Sequence, residues 1–264
     1  MSIDLFAEKE EARTVYGRLN AGIKLLVASL VTVLLVATVD AVTGTVALAL
    51  EMVALAAGGF KPVRLLLRFW PILLATLLSG WATAIMADKT GDVLLEFAYI
   101  TVTTDSAEAG LGMMMRGLAM AMPALMFITT TDPTDLADSL AQTYKLPARF
   151  VLAALAALRL VGIMFAEWRT LSAARRARGA GGRGPVNAVR NAAGQVFVLL
   201  VQAIRRGTRL ATTMEARGFG AGQRTWARVP QHSGKDAVFA VLWVAIPLIA
   251  YAVSASIGTL KFLL

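Results

Sequence analysis

Residues 150–179 read FVLAALAALRLVGIMFAEWRTLSAARRARG, an apolar run that turns basic and stops on a glycine. Where this stretch lies decides the fold. Its first part, Phe150 to Phe165, is apolar enough for a hydropathy window to assign a transmembrane helix. Two features argue against that. Arg159 sits within the run, where a charged side chain is costly in hydrocarbon. The following segment is basic, with thirteen Arg or Lys against two acids, Glu167 and Glu215, between residues 167 and 235. Such a segment belongs in the cytoplasm by the positive-inside rule. Four apolar runs precede it, and four crossings from a cytoplasmic N-terminus return the chain to the cytoplasm near residue 131. A fifth crossing at 150–165 would export the arginines. The expectation is one long helix from Ala148 to about Arg178, cytoplasmic or interfacial.

The surrounding chain is that of an integral membrane protein. Of 264 residues 57% are hydrophobic and only 16% charged, whereas soluble domains carry about a quarter charged residues. Mean hydropathy is +0.66. Apolar runs near the roughly 17–25 residues that a bilayer core requires extend over Leu19–Val39, Ala41–Phe60, Phe69–Met86, Gly110–Thr130 and Ala237–Ile257. The expected fold is therefore all-α, with about five transmembrane helices and an inserted module of cytoplasmic helices. Lys61-Pro62 with Arg64 and Arg68 is expected as a short inner loop. Residues 87–108 hold one Lys89 and so face outward, while Trp70 and Trp81 suit the interfaces. Met1 to Arg18 lacks the basic-then-apolar profile of a signal peptide and is expected to remain attached in the cytoplasm. This divides the chain into a four-span domain, 1–131, a cytoplasmic module, 132–235, and a last span within 236–264.

The module opens at Thr130-Thr131-Asp132-Pro133-Thr134-Asp135-Leu136, where Asp132 is a helix cap and Pro133 a first helical residue. That helix ends before Pro147, and the long helix follows. Gly179 to Pro185 breaks the chain, and a second long helix runs from Val186 to about Arg217. Its polar residues Asn187, Asn191, Gln195, Gln202, Arg206, Arg209, Thr213 and Arg217 form a stripe. Val186, Val189, Val196, Phe197, Leu200 and Ile204 lie largely opposite. This pattern is an amphipathic helix at a membrane boundary or beneath other helices.

Catalytic chemistry is not supported. There is no cysteine, which excludes disulfides and thiolate metal sites, and the lone His232 is expected as an ordinary loop residue. Gly234-Lys235-Asp236 lacks the preceding glycine and the hydroxyl of a phosphate loop. Neither HExxH nor GxSxG occurs. Met113, Met114, Met115, Met120, Met122 and Met126 are expected to repack flexibly against a neighbouring membrane protein rather than bind a soft metal. Glu51, alone in an apolar run, is expected to make an interhelical hydrogen bond or face a lumen. The Arg/Gly stretch from Arg175 to Gly184 lacks the aromatics of a nucleic-acid binder, and attraction to anionic lipid explains most of its charge. No cofactor, metal or nucleic acid is implied.

Lipid attraction does not explain why both long helices end in the same tripeptide, Ala177-Arg178-Gly179 and Ala216-Arg217-Gly218. Arginine pairs bidentately with carboxylates, and small neighbours leave room for a partner surface. Glycine is also a common helix stop.

Four segments carry a family resemblance: Arg18-Leu19-Asn20 with Lys24-Leu25, the 130–136 heptad, Ala174-Arg175-Arg176-Ala177-Arg178-Gly179, and Met214-Glu215-Ala216-Arg217-Gly218-Phe219. With them the chain resembles, over nearly its whole length, the transmembrane T component of energy-coupling factor (ECF) transporters, the EcfT and CbiQ-like proteins. It departs at Ala21-Gly22, where a proline-containing segment is often found. The resemblance implies a non-catalytic plasma-membrane subunit that joins two cytoplasmic P-loop ATPases to a small membrane-embedded S component. That S component selects the vitamin or transition-metal ion, including cobalt or biotin. The resemblance further implies that Arg178 and Arg217 each enter a groove of one ATPase, with Ala177, Gly179, Ala216 and Gly218 permitting close approach. The alternative is a conventional ATP-binding-cassette permease that binds substrate itself, for which Glu51 is the one clear polar candidate within the spans.

Overall fold

The computed structural model describes residues 15–38, 40–97, 100–179, 184–220, 222, 225–226, 228–230 and 233–260. His232 and residues 180–183 lie outside these residues. The chain forms two compact units, one within 9–132 and 231–264, the other chiefly 133–230.

In the first unit, α1 (Ala21–Val36), α2 (Ala41–Ala57), α5 (Thr104–Thr130) and α9 (Gly234–Ile257) pack around a common core, and α4 (Trp70–Met86) packs on α5. Side-chain oxygens start the helices. Asn20 accepts from the amides of Gly22 and Ile23, so a cap takes the place of the missing proline segment. Asp40 caps α2, and Ser233 with Asp236 forms a capping box on α9. Val27, Val31, Leu35, Ala119, Met122 and Trp243 are buried at the centre. Helices α4 and α5 touch through backbone. A side chain at Gly80 would lie 2.7 Å from the Gly110 carbonyl, and one at Gly110 2.6 Å from that of Gly80.

Polar ties close both ends of this core. At one end the Asn20 amide donates to Asp236 at 2.9 Å, and the Lys24 ammonium, 1% exposed, donates to the Thr130 carbonyl at 2.8 Å. At the other, Ser254 donates to Asp40, Arg116 to the Thr38 carbonyl and Tyr251 to the Leu34 carbonyl.

Several local expectations change. Residues Pro62–Arg68 form a short helix, α3, where a loop was expected, bent 107° from α2. Gly58 and Gly59, the latter at φ +91°, end α2, and Pro62 starts α3 in a new direction. Helix α5 begins six residues earlier than Gly110, because Thr103 and Ser106 cap each other there. The outer segment contains an antiparallel hairpin, β1 (Val93–Phe97) with β2 (Ile100–Thr103). Met122 and Met126 are fully buried in the core and do not serve a neighbouring protein. Glu51 is neither hydrogen-bonded nor lumen-facing among the described residues: it is 0% exposed, and neither carboxyl oxygen has a hydrogen-bond partner there.

By length and apolarity, α5 and α9 qualify as membrane spans among the described residues, and so, against the expectation drawn from its charge bias, does Ala148–Ala177. Helices α2 and α3 together form a bent fourth. Helices α1 and α4 are shorter, at 16 and 17 residues; for α1 the cap at Asn20 and the end at Val36 trim the apolar run. The all-α membrane architecture is the one expected.

Replacing Lys24 by Met is expected to destabilise the protein by about 1.5–3 kcal/mol, since the Thr130 carbonyl loses a charged donor. Glu51→Leu, which removes an unpaired buried polar group, is expected to leave the unfolding midpoint unchanged or raise it. Thermal unfolding in detergent measures both.

Candidate functional site

The second unit is built on three helices. Helix α6 (Pro133–Gln142) starts at Pro133 with Asp135 in its first turn, as its sequence predicts. Lys145, at φ +52°, and Pro147 turn the chain into α7 (Ala148–Ala177). Arg159, the charge within the apolar run, reaches back to the Thr134 hydroxyl at 3.4 Å. Helix α8 (Pro185–Ala216) follows.

Helices α7 and α8 form an antiparallel hairpin whose seam is polar. Arg206 pairs with Glu167, Ser172 donates to Gln195 at 2.8 Å, and Arg175 donates to the Asn191 carbonyl at 3.0 Å. At the opposite end Arg149 donates to the Gly220 carbonyl. The polar stripe expected on α8 therefore faces α7 at Asn191, Gln195 and Arg206. The apolar residues opposite are exposed: Val189 at 70%, Phe197 at 67% and Ile204 at 61%. Helix α7 has no buried residue and exposes Phe150 and Phe165 as well.

This geometry sets the two tripeptides far apart. Arg178 follows α7 at the turn of the hairpin, and Arg217 follows α8 at the end where Arg149 meets Gly220. Thirty residues of α7 separate these ends, or about 45 Å of helix. The two termini are conformational copies. Arg178 lies at φ −87°, ψ 7°, and Arg217 at φ −88°, ψ 9°; the glycine after each is at φ +72°. The Gly179 amide donates to the Arg176 carbonyl at 3.1 Å, and the Gly218 amide to that of Glu215 at 2.9 Å. All six residues of the tripeptides are exposed. Neither guanidinium has a hydrogen bond or ion pair among the described residues, and both sit where the helix dipole favours a cation.

The glycines thus serve the backbone first, because a left-handed residue with a Cβ costs about 1–2 kcal/mol. The space beside them is open as well, with nothing within 4 Å of a side chain added at Gly179 or Gly218. One feature escaped the sequence reading: a cleft between α7 and α8 lined by Glu167, Arg205, Arg206 and Arg209. Glu167 was the available signal, as one of two acids in the basic region.

Comparison with known proteins agrees with this architecture. Residues 12–226 match the CbiQ family model, described as cobalt transport protein. The chain is similar to the energy-coupling factor transporter transmembrane protein EcfT of Exiguobacterium sibiricum, 24% identical over 71% of this chain and 75% of the relative. The EcfT of Bacillus selenitireducens is 32% identical over 56% of this chain and 59% of the relative. That of Staphylococcus aureus is 25% identical over 65% and 68%.

Because the caps match, Gly179→Ala and Gly218→Ala are expected to loosen their helix ends equally. Hydrogen exchange of the last-turn amides should accelerate about tenfold in each variant, as a penalty of about 1–2 kcal/mol implies. A response at one end alone would show that the two are not equivalent.

Proposed function

Since the chain belongs to the CbiQ family, matched over residues 12–226, we propose that it couples ATP hydrolysis on two cytoplasmic P-loop ATPases to a small substrate-binding membrane protein. It is the T component of an ECF-type importer for a vitamin or a transition-metal ion, multi-pass in the plasma membrane, with its N-terminus in the cytoplasm. Hydrolysis belongs to the separate ATPases, and this chain supplies contact and leverage.

One observation carries the reading: a single hairpin presents the same exposed arginine cap at each of its two ends, about 45 Å of helix apart. One binding surface would not need two matched ends at that separation. Two similar subunits would each take one. Arg178 enters a groove on one ATPase and Arg217 the equivalent groove on the other, each meeting carboxylates through its planar fork. Ala177 and Gly179, or Ala216 and Gly218, add no bulk beside the arginine. When ATP closes the ATPase pair, the hairpin ends are drawn together and the hairpin moves. Its exposed apolar residues, including Val189 and Phe197, are suited to transmit that motion to a membrane-embedded substrate-binding partner.

Arg178→Glu and Arg217→Glu are each expected to weaken ATPase docking by about 2–5 kcal/mol, because a carboxylate then faces carboxylates. The double variant should lose the ATPases on affinity purification and lose uptake. Normal assembly and transport by the double variant would sink the proposal.

A further inference from the structure

The cleft in the hairpin has a volume of 420 Å³ and is lined by Thr170, Gln202, Glu167, Arg205, Arg206 and Arg209, among others. Three arginines and one glutamate line it, and Arg206 already pairs with that carboxylate. Arg205 and Arg209 lie one turn apart on α8, both exposed, and neither guanidinium has a hydrogen bond or ion pair among the described residues. The site therefore carries two uncompensated charges, three arginines less one glutamate. The docking proposed above uses neither of them.

Next to these arginines the surface is apolar. Val201 is 40% exposed and Ile204 61% exposed on the same turns of α8. A free anion would satisfy the guanidiniums and leave the hydrocarbon face uncovered. An acidic protein segment would satisfy the charges without accounting for the apolar strip beside them. A phosphodiester attached to acyl chains satisfies both in one molecule. Arg205 and Arg209 offer planar forks to the phosphate oxygens, and the chains lie along Val201 and Ile204. A zwitterionic headgroup fits less well, since its ammonium would meet the same positive field and Glu167 is already paired.

We propose that this cleft binds the headgroup phosphate of an anionic phospholipid, with Arg205 and Arg209 as its ligands. The inference rests on the proposed membrane subunit holding its hairpin at the membrane boundary, but needs no ATPase. The site gives the hairpin a fixed lipid contact between its two docking ends.

Native mass spectrometry of the full-length protein in detergent, offered phosphatidylglycerol and phosphatidylcholine in equal amounts, tests this. Wild type is expected to retain phosphatidylglycerol selectively, and Arg205→Gln/Arg209→Gln to lower that retention roughly tenfold or more. Arg176→Gln/Arg190→Gln removes equal charge outside the cleft and should leave retention unchanged. Excess inorganic phosphate should not displace the lipid from wild type. Unselective retention, an unaffected cleft variant, an equal loss in the control variant or displacement by phosphate would each overturn the proposal. So would a cleft variant that keeps its lipid but, when purified from native membranes in a parallel preparation, loses a protein that wild type retains. The isolated subunit is measured, so a failure of docking at Arg178 or Arg217 leaves the lipid result interpretable.

Discussion

Two helices that meet through their polar sides must turn their apolar sides outward, and the hairpin of α7 and α8 is built on that inversion. In a soluble protein the seam would be apolar and the outer faces charged. Here Arg206 with Glu167, Ser172 with Gln195 and Arg175 with the Asn191 carbonyl hold the helices together. Phe165, Phe197 and Ile204 are left exposed. Directional bonds fix the register of the two helices, and register fixes which residues stand at the ends. The placement of Arg178 at one end and Arg217 at the other follows from the same bonds that leave the surface apolar.

The membrane unit solves the opposite problem. Its core is apolar at mid-depth, and its polar ties are confined to the two ends, around Lys24 and Asp236 and around Asp40 and Arg116. Hydrogen bonds are strong in hydrocarbon and costly to leave unmade, so end placement joins helices without placing charges at mid-depth. Glu51 breaks this rule, with both oxygens buried and unpaired. Close backbone contact at Gly80 and Gly110 adds van der Waals packing, which associates helices where lipid is as apolar as the side chains.

Much of this was legible in the sequence because it rests on local chemistry. Pro133 after Asp132, the break at Gly179 and the stop at Gly218 mark helix ends through backbone rules that act within a few residues. The polar stripe of α8 was equally plain, since it depends on helical period alone. What that stripe faces was not, because a stripe facing solvent and one facing α7 have the same period. Helix α3 was read as a loop for a related reason: seven residues carrying two arginines give too little periodicity to register. The β1–β2 hairpin, only five and four residues long, left no comparable pattern. The two tripeptides were recognised as a pair from sequence. Their matching dihedrals and their separation depend on an antiparallel pairing that no single segment encodes.

That separation has a mechanical consequence. A helix end docked by one arginine is a pivot: it fixes a point and leaves the direction of the rod free. Two pivots at opposite ends of one rod-like hairpin fix its line, so any change in the distance or angle between the docked surfaces must reorient the hairpin. The polar seam prevents the helices from sliding past each other, because a shift of one turn would separate Glu167 from Arg206 and Ser172 from Gln195 together. A lever needs this combination of free ends and a locked middle. Under the proposed coupling, a greasy seam would absorb ATPase closure as slippage between α7 and α8 instead of passing it to the apolar face.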